Sequence, residues 1–137
     1  MKIHTTNYQN TLIAIADDCT VTKGEIPAEK GGNKTAAGLQ FEMISKNPYK
    51  YTSDDVLFAV FAQRNELTED ELEEARTNFF SKGQACMRAS ALGKRYGWGV
   101  HHNGEGKIAL YGCDTPAYQD YLEQINIKVV KAMKSKR

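Results

Sequence analysis

A chain of 137 residues with 41% apolar side chains, 26% charged side chains and a net charge of +1 is long enough to bury a core without disulfide staples. That balance excludes wholesale disorder, and a net charge near zero does not point to nucleic acid. No apolar run approaches a membrane span and "MKIHTTNYQN" has no signal-peptide core, while Cys19, Cys86 and Cys113 form no CxxC, so a soluble cytoplasmic protein without a membrane partner is expected.

The first predicted element is a buried strand in "TLIAIAD", residues 11–17, a β-forming apolar run between polar flanks. Gly24, Pro27 and the Gly31–Gly32 pair mark residues 19–33 as a loop. The segment 34–46 fits two periods. Leu39, Phe41 and Met43 alternate as in a strand, whereas Ala36, Leu39, Met43 and Ile44 share a helical face, and the stop before Pro48 favours the helix. Tyr49 and Tyr51 follow as an aromatic patch that packs the loop onto the core or lines a pocket, the first being the commoner use.

Thr52 can cap the next helix, with Asp54 and Asp55 in its first turn, and Val56, Leu57, Phe58, Val60 and Phe61 make that helix central to the core. Thr68 and Glu71 have capping-box spacing ahead of a helix that buries Leu72, Ala75 and Phe79 and ends at Lys82–Gly83. Residues 85–90, "ACMRAS", read as a short strand, followed by a loop through Leu92 and Gly93. Thr115 and Pro116 open another helix, and "KVVKAMKSKR" reads as a last helix that frays over about 133–137. The expected fold is α+β and a single domain over 1–137: a small antiparallel sheet, including a β-hairpin at about 97–113, packed against three to four helices.

"RYGWGVHHNGEGKIALYG", residues 95–112, holds the densest chemistry. A two- or four-residue loop at "NGEG" would place Trp98, Val100 and His102 with Lys107, Ala109 and Tyr111. A three-residue loop closing on a left-handed Gly106 pairs Asn103 with Lys107 and groups Trp98, Val100, Ile108 and Leu110 on one face; that grouping favours this register. Tyr111 would then lie over Gly99. Adjacent strand residues face opposite ways, so His101 and His102 are not a two-ligand metal site, with His101 on the more open face.

Charge is unevenly spread. Glu66, Glu69, Asp70, Glu71, Glu73 and Glu74 form an acidic block with no base inside it, and residues 81–107 carry Lys82, Arg88, Lys94, Arg95 and Lys107 against Glu105 alone. Lys82, Arg88 and Arg95, with His101 and Tyr111, are therefore the candidate ligand-binding set, since guanidinium forks and aromatic rings suit a small anionic ligand. Solvated surface charge is the ordinary reading of the same bases. Cys86 beside Arg88 is a candidate nucleophile, with His101 as general acid/base. "GGNKT" fails the phosphate-loop pattern, and no spacing of His4, Cys19, Cys86 and Cys113 matches a metal site, so neither cofactor nor metal is expected.

"HTTNY", "GEIPAEKGG", "NPYKYTSDDVLF", "FFSKGQACMRASALGKRYGWGVH" and the terminal "AMKSKR" resemble a family of small bacterial proteins classed only as a domain of unknown function (DUF6157). The resemblance covers nearly the whole chain and implies a stand-alone domain; it brings no activity or ligand. Three functions stay in play: a binding module for a small anionic molecule or nucleic acid at the basic and aromatic surface, a small enzyme using His101 and Cys86, and an interaction domain using the acidic helix 69–82.

Overall fold

The computed structural model describes residues 3–135. Strand β1 (Thr11–Ala14) is followed by helices α1 (Ala36–Lys46), α2 (Ser53–Arg64), α3 (Leu72–Phe80) and α4 (Ala91–Lys94). Strands β2 (Trp98–His102) and β3 (Ile108–Gly112), helix α5 (Pro116–Glu123) and strand β4 (Lys128–Lys131) complete the order. The fold is α+β, as expected. The sheet runs β3-β2-β1-β4, with β2 antiparallel to both neighbours and β4 parallel to β1, so it is mixed and not purely antiparallel. No helix among the described residues is long and apolar enough to cross a membrane.

Local chemistry explains most boundaries. The Thr35 hydroxyl accepts the Gly38 N–H and starts α1, which resolves segment 34–46 as helix. Thr52 and Asp55 form a reciprocal capping box on α2. Thr68 and Glu71 form the capping box expected here, Glu71 reaching back to the Thr68 N–H and hydroxyl, and the Glu71 N–H also bonds the Thr68 carbonyl. The chain therefore enters α3 through a 3-10 turn, Glu69–Glu71.

Three expectations fail. "ACMRAS" is not a strand but a 3-10 turn at Met87–Ala89, because its N–H groups close locally on Cys86 and Met87 carbonyls. Leu92 is not in a loop; it is fully buried in α4. The C-terminal segment is not helical. The β-branched pair Val129–Val130 takes a strand instead, with Lys128 N–H on Asn10 and Ala132 N–H on Ala14. Of the tail expected to fray, Met133 and Ser135 donate backbone bonds to Arg88 and Asp18, and residues 136–137 lie outside the described chain.

The hairpin adopts the bulged register: Val100 faces Leu110, His101 faces Ala109 and His102 faces Ile108, with Gly106 at φ 79°. Asn103 holds the turn, its side-chain oxygen accepting the N–H groups of Glu105 and Lys107, both at 2.9 Å. One sheet face, carrying Ile13, Val100 and Ile108, packs against Ala37, Ile44, Val56, Met87 and Leu92 from α1, α2, α4 and the turn before it. The other face, carrying Leu12 and Ala14, packs against Tyr118 and Leu122 of α5. Helix α3 packs onto α2 through Phe58, Ala62, Leu72 and Phe80.

Gly99 is covered by Tyr118, not by Tyr111 as expected. A Cβ there would sit 2.5 Å from the Tyr118 ring, while the Tyr118 hydroxyl accepts the Ile15 N–H. The outer edge of β3 is occupied by the 49–52 segment, with Tyr49 N–H on the Ile108 carbonyl and Ile108 N–H on Tyr51. At the opposite edge the Arg88 side chain donates to the Lys131 carbonyl at 2.7 Å, and the Arg88 carbonyl accepts the Met133 N–H.

His102 is fully buried on the α1/α2 side against the edge of the Tyr8 ring, and neither of its ring nitrogens has a hydrogen-bond partner. Burial holds its pKa down to about 4, with nearby Val100 and Thr11 backbone opposing that only in part.

Two outcomes follow for stability. Gly99→Ala is expected to lose about 1–3 kcal/mol in urea unfolding, because the new methyl collides with a ring held at both ends. For His102 the folded chain stays neutral between pH 6.5 and 4 while the unfolded chain takes up a proton. Stability therefore falls with pH through that window, by about 3 kcal/mol in all. His102→Leu should flatten this part of the profile; an unchanged acid slope in the variant would show that other groups cause it.

Candidate functional site

Strand alternation sends His101 to the α5 side, directly opposite Ala109 and beside Leu12. Tyr111, two residues beyond Ala109 on β3, faces the same way. Helix α5, opened by Pro116 and capped by the Thr115 hydroxyl, lays Tyr118 and Tyr121 on this face by their three-residue spacing. The fourth member, Tyr49, comes from the edge segment. Its backbone is left-handed, φ 58°, a conformation that costs a bulky side chain energy. Its N–H is fixed to Ile108, and this bend sends the ring over the sheet edge toward His101.

The four side chains meet at one atom, the Tyr49 hydroxyl oxygen. It lies 2.8 Å from His101 Nδ1, 2.8 Å from the Tyr111 hydroxyl and 3.4 Å from the Tyr121 hydroxyl. The imidazole stacks on the Tyr121 ring at 4.1 Å and 18°. His101 is buried, whereas the three tyrosines are half-buried and reach the surface. His101 Nε2 makes no hydrogen bond among the described residues and, unlike the nitrogens of His102, is not sealed from solvent.

Burial pushes the His101 pKa below the usual histidine value. Tyr49 is raised well above an ordinary phenol, first by burial and then by its bonds to Tyr111 and Tyr121. Burial raises Tyr111 as well. These shifts all favour the uncharged forms of His101, Tyr49 and Tyr111, which leaves a set of hydrogen-bond donors and acceptors. Such a set can orient a carbonyl, carboxylate or phosphate oxygen, or pass a proton along the His101–Tyr49 bond.

Of the residues singled out from sequence, the structure brings His101 and Tyr111 together. It does not bring Lys82, Arg88 or Arg95 to them. Arg88 precedes α4 and Arg95 caps it, and Met87 and Leu92 anchor that stretch on the opposite sheet face. Arg88 is also committed to Lys131. Lys82 lies beyond α3 beside a surface groove of about 670 Å³ lined by Phe61, Leu67 and Phe79. The acidic helix forms a wall of a second groove of about 610 Å³, with Phe58, Leu72 and Arg76.

Cys86 is likewise not paired with His101. Its sulfur lies 3.3 Å from the Tyr8 hydroxyl, and Tyr8 in turn packs against His102 on the α1/α2 face. Among the described residues no three His, Cys, Asp or Glu side chains gather as metal ligands. In the sequence Tyr49 stands out with Tyr51 as an aromatic patch that packs the loop or lines a pocket, and Tyr121 does not stand out; its signal is the Tyr118–Tyr121 spacing behind a strong helix start.

No curated protein and no solved structure matches the chain. One family model does, the Family of unknown function (DUF6157), over residues 3–137. The residues that build the cluster all lie within that match, and the chain belongs to this family.

Proposed function

We propose that the chain is a binding module for a small anionic or carbonyl-bearing molecule, and that the ligand meets it at the Tyr49–His101–Tyr111–Tyr121 cluster. The observation that carries this reading is the convergence of an imidazole and two phenol hydroxyls on the hydroxyl oxygen of a third phenol, Tyr49, which lies more than fifty residues away from them in sequence. Apolar packing alone would not require four polar tips to meet, nor a bulky residue to hold φ 58°.

The arrangement favours a ligand oxygen over a nucleic acid backbone. A phosphate track needs several bases along one surface. Here Arg88 is tied to Lys131, and the stretch carrying Arg88 and Arg95 is anchored on the other sheet face. A second reading, general acid/base catalysis by His101, is favoured by one feature: Nδ1 is oriented by a phenol while Nε2 is left open. It involves no nucleophile from Cys86.

The test is an NMR titration with acetate, benzoate and inorganic phosphate, following the ring signals of His101, Tyr111 and Tyr121. At least one probe should shift these signals and leave those of Arg88 and Arg95 in place, and Tyr49→Phe should weaken that binding about tenfold, because the hydroxyl that positions His101, Tyr111 and Tyr121 is lost. Shifts confined to the arginines, or none anywhere, would remove the reading.

A further inference from the structure

The hydrogens of the cluster can be counted. Three internal bonds meet at the Tyr49 hydroxyl, from His101 Nδ1, Tyr111 and Tyr121. A neutral imidazole and three phenols hold one ring hydrogen and three hydroxyl hydrogens. With the ring hydrogen on Nε2, Tyr49 donates to Nδ1, and Tyr111 and Tyr121 both donate to Tyr49. All three hydroxyl hydrogens are then consumed internally. The cluster offers the outside one donor, Nε2–H, and the lone pairs of Tyr111 and Tyr121.

Adding a proton at Nδ1 reverses the central bond. Nδ1–H now donates to Tyr49, and Tyr49 must turn its hydrogen toward Tyr111 or Tyr121. That phenol is released as an outward donor. The protonated cluster thus shows two donors, Nε2–H and one O–H, and a positive charge. A carboxylate, with two acceptor oxygens and a negative charge, complements that arrangement.

We infer that this cluster selects a carboxylate by taking up one proton as it binds, His101 becoming imidazolium and the Tyr49 hydroxyl reversing its bond to release a second donor. The inference rests on the binding-site reading above and adds the ligand class and its coupling to pH. The proton comes from solvent, and no covalent bond to the ligand forms.

The surroundings of His101 suit such a change. Tyr49 of the edge segment, Tyr111 of β3 and Tyr121 of α5 are the titratable groups packed on it, and all three are phenols. Leu12 of β1 is apolar, and His102 on the same strand points to the other face. The carboxylates of α5, Asp120 and Glu123, are exposed. No permanent charge therefore holds His101 protonated in advance, and burial disfavours its charge. The Tyr121 ring, stacked on the imidazole, stabilises a cation once it forms.

The test uses the full chain with benzoate as the probe. Calorimetric titrations in two buffers of different ionisation heat, over a range of pH, count the protons exchanged, and nitrogen-15 NMR of His101 reads its tautomer. Expected are an Nε2–H tautomer in the free neutral protein, uptake of one proton per benzoate, and an affinity that falls about tenfold per pH unit above the His101 titration. His101→Gln should bind more weakly with no proton uptake, and Tyr49→Phe should lose the tautomer preference. Benzoate binding without proton uptake, or a free Nδ1–H tautomer, would overturn the coupling and leave the binding site standing. No benzoate binding at any pH would overturn this inference, and if acetate and inorganic phosphate also left the cluster signals unmoved the binding-site reading would fall with it.

Discussion

Asn103 pins the hairpin, and through it everything placed on the two faces of the sheet. Its side-chain oxygen gathers two N–H groups of the turn, its own N–H bonds Lys107, and its carbonyl accepts from Asn10 at the end that leads into β1. Gly106 supplies the left-handed residue this turn requires. A slip of one residue would exchange the faces of every side chain on β2. His101 would then enter the α1/α2 core, and His102 would stand among the tyrosines. Turn chemistry and site chemistry are thus one constraint.

The two histidines show what a difference of one position does. Both are buried, yet His101 has a phenol on Nδ1, whereas His102 has no partner for either nitrogen. A buried unsatisfied polar group is a standing cost. The protein carries that cost beside Ile108 and Tyr8 of its main apolar cluster, while the satisfied histidine sits in a polar cluster at the half-open α5 face.

The hairpin register and the opposite facing of "HH" were legible because a bulged turn with its glycine and a two-residue period are local properties. The capped helices were legible for the same reason. The parallel strand β4 was not, since its partner β1 lies more than a hundred residues earlier and the lysines around Val129 blur the pattern. Tyr111 was singled out, but its contact was assigned to Gly99, where Tyr118 in fact lies. The bases looked like one surface because they are near in sequence; the turn at Met87–Ala89 and the short α4 carry two of them to the wrong side of the sheet. The role of Tyr49 depends on where the 49–52 segment docks, and no local pattern states that.

The partial covering of both sheet margins has a consequence for the life of the chain among its own copies. An open strand is a template on which another chain can add itself, the first step toward fibrils and swapped dimers. Here the 49–52 segment occupies one margin at Lys107 and Ile108, and the Arg88 side chain and carbonyl occupy part of the other, with Lys128 and Lys131 flanking the rest. An arginine that looked like a ligand-binding residue instead closes the end of that margin at Lys131 and Met133.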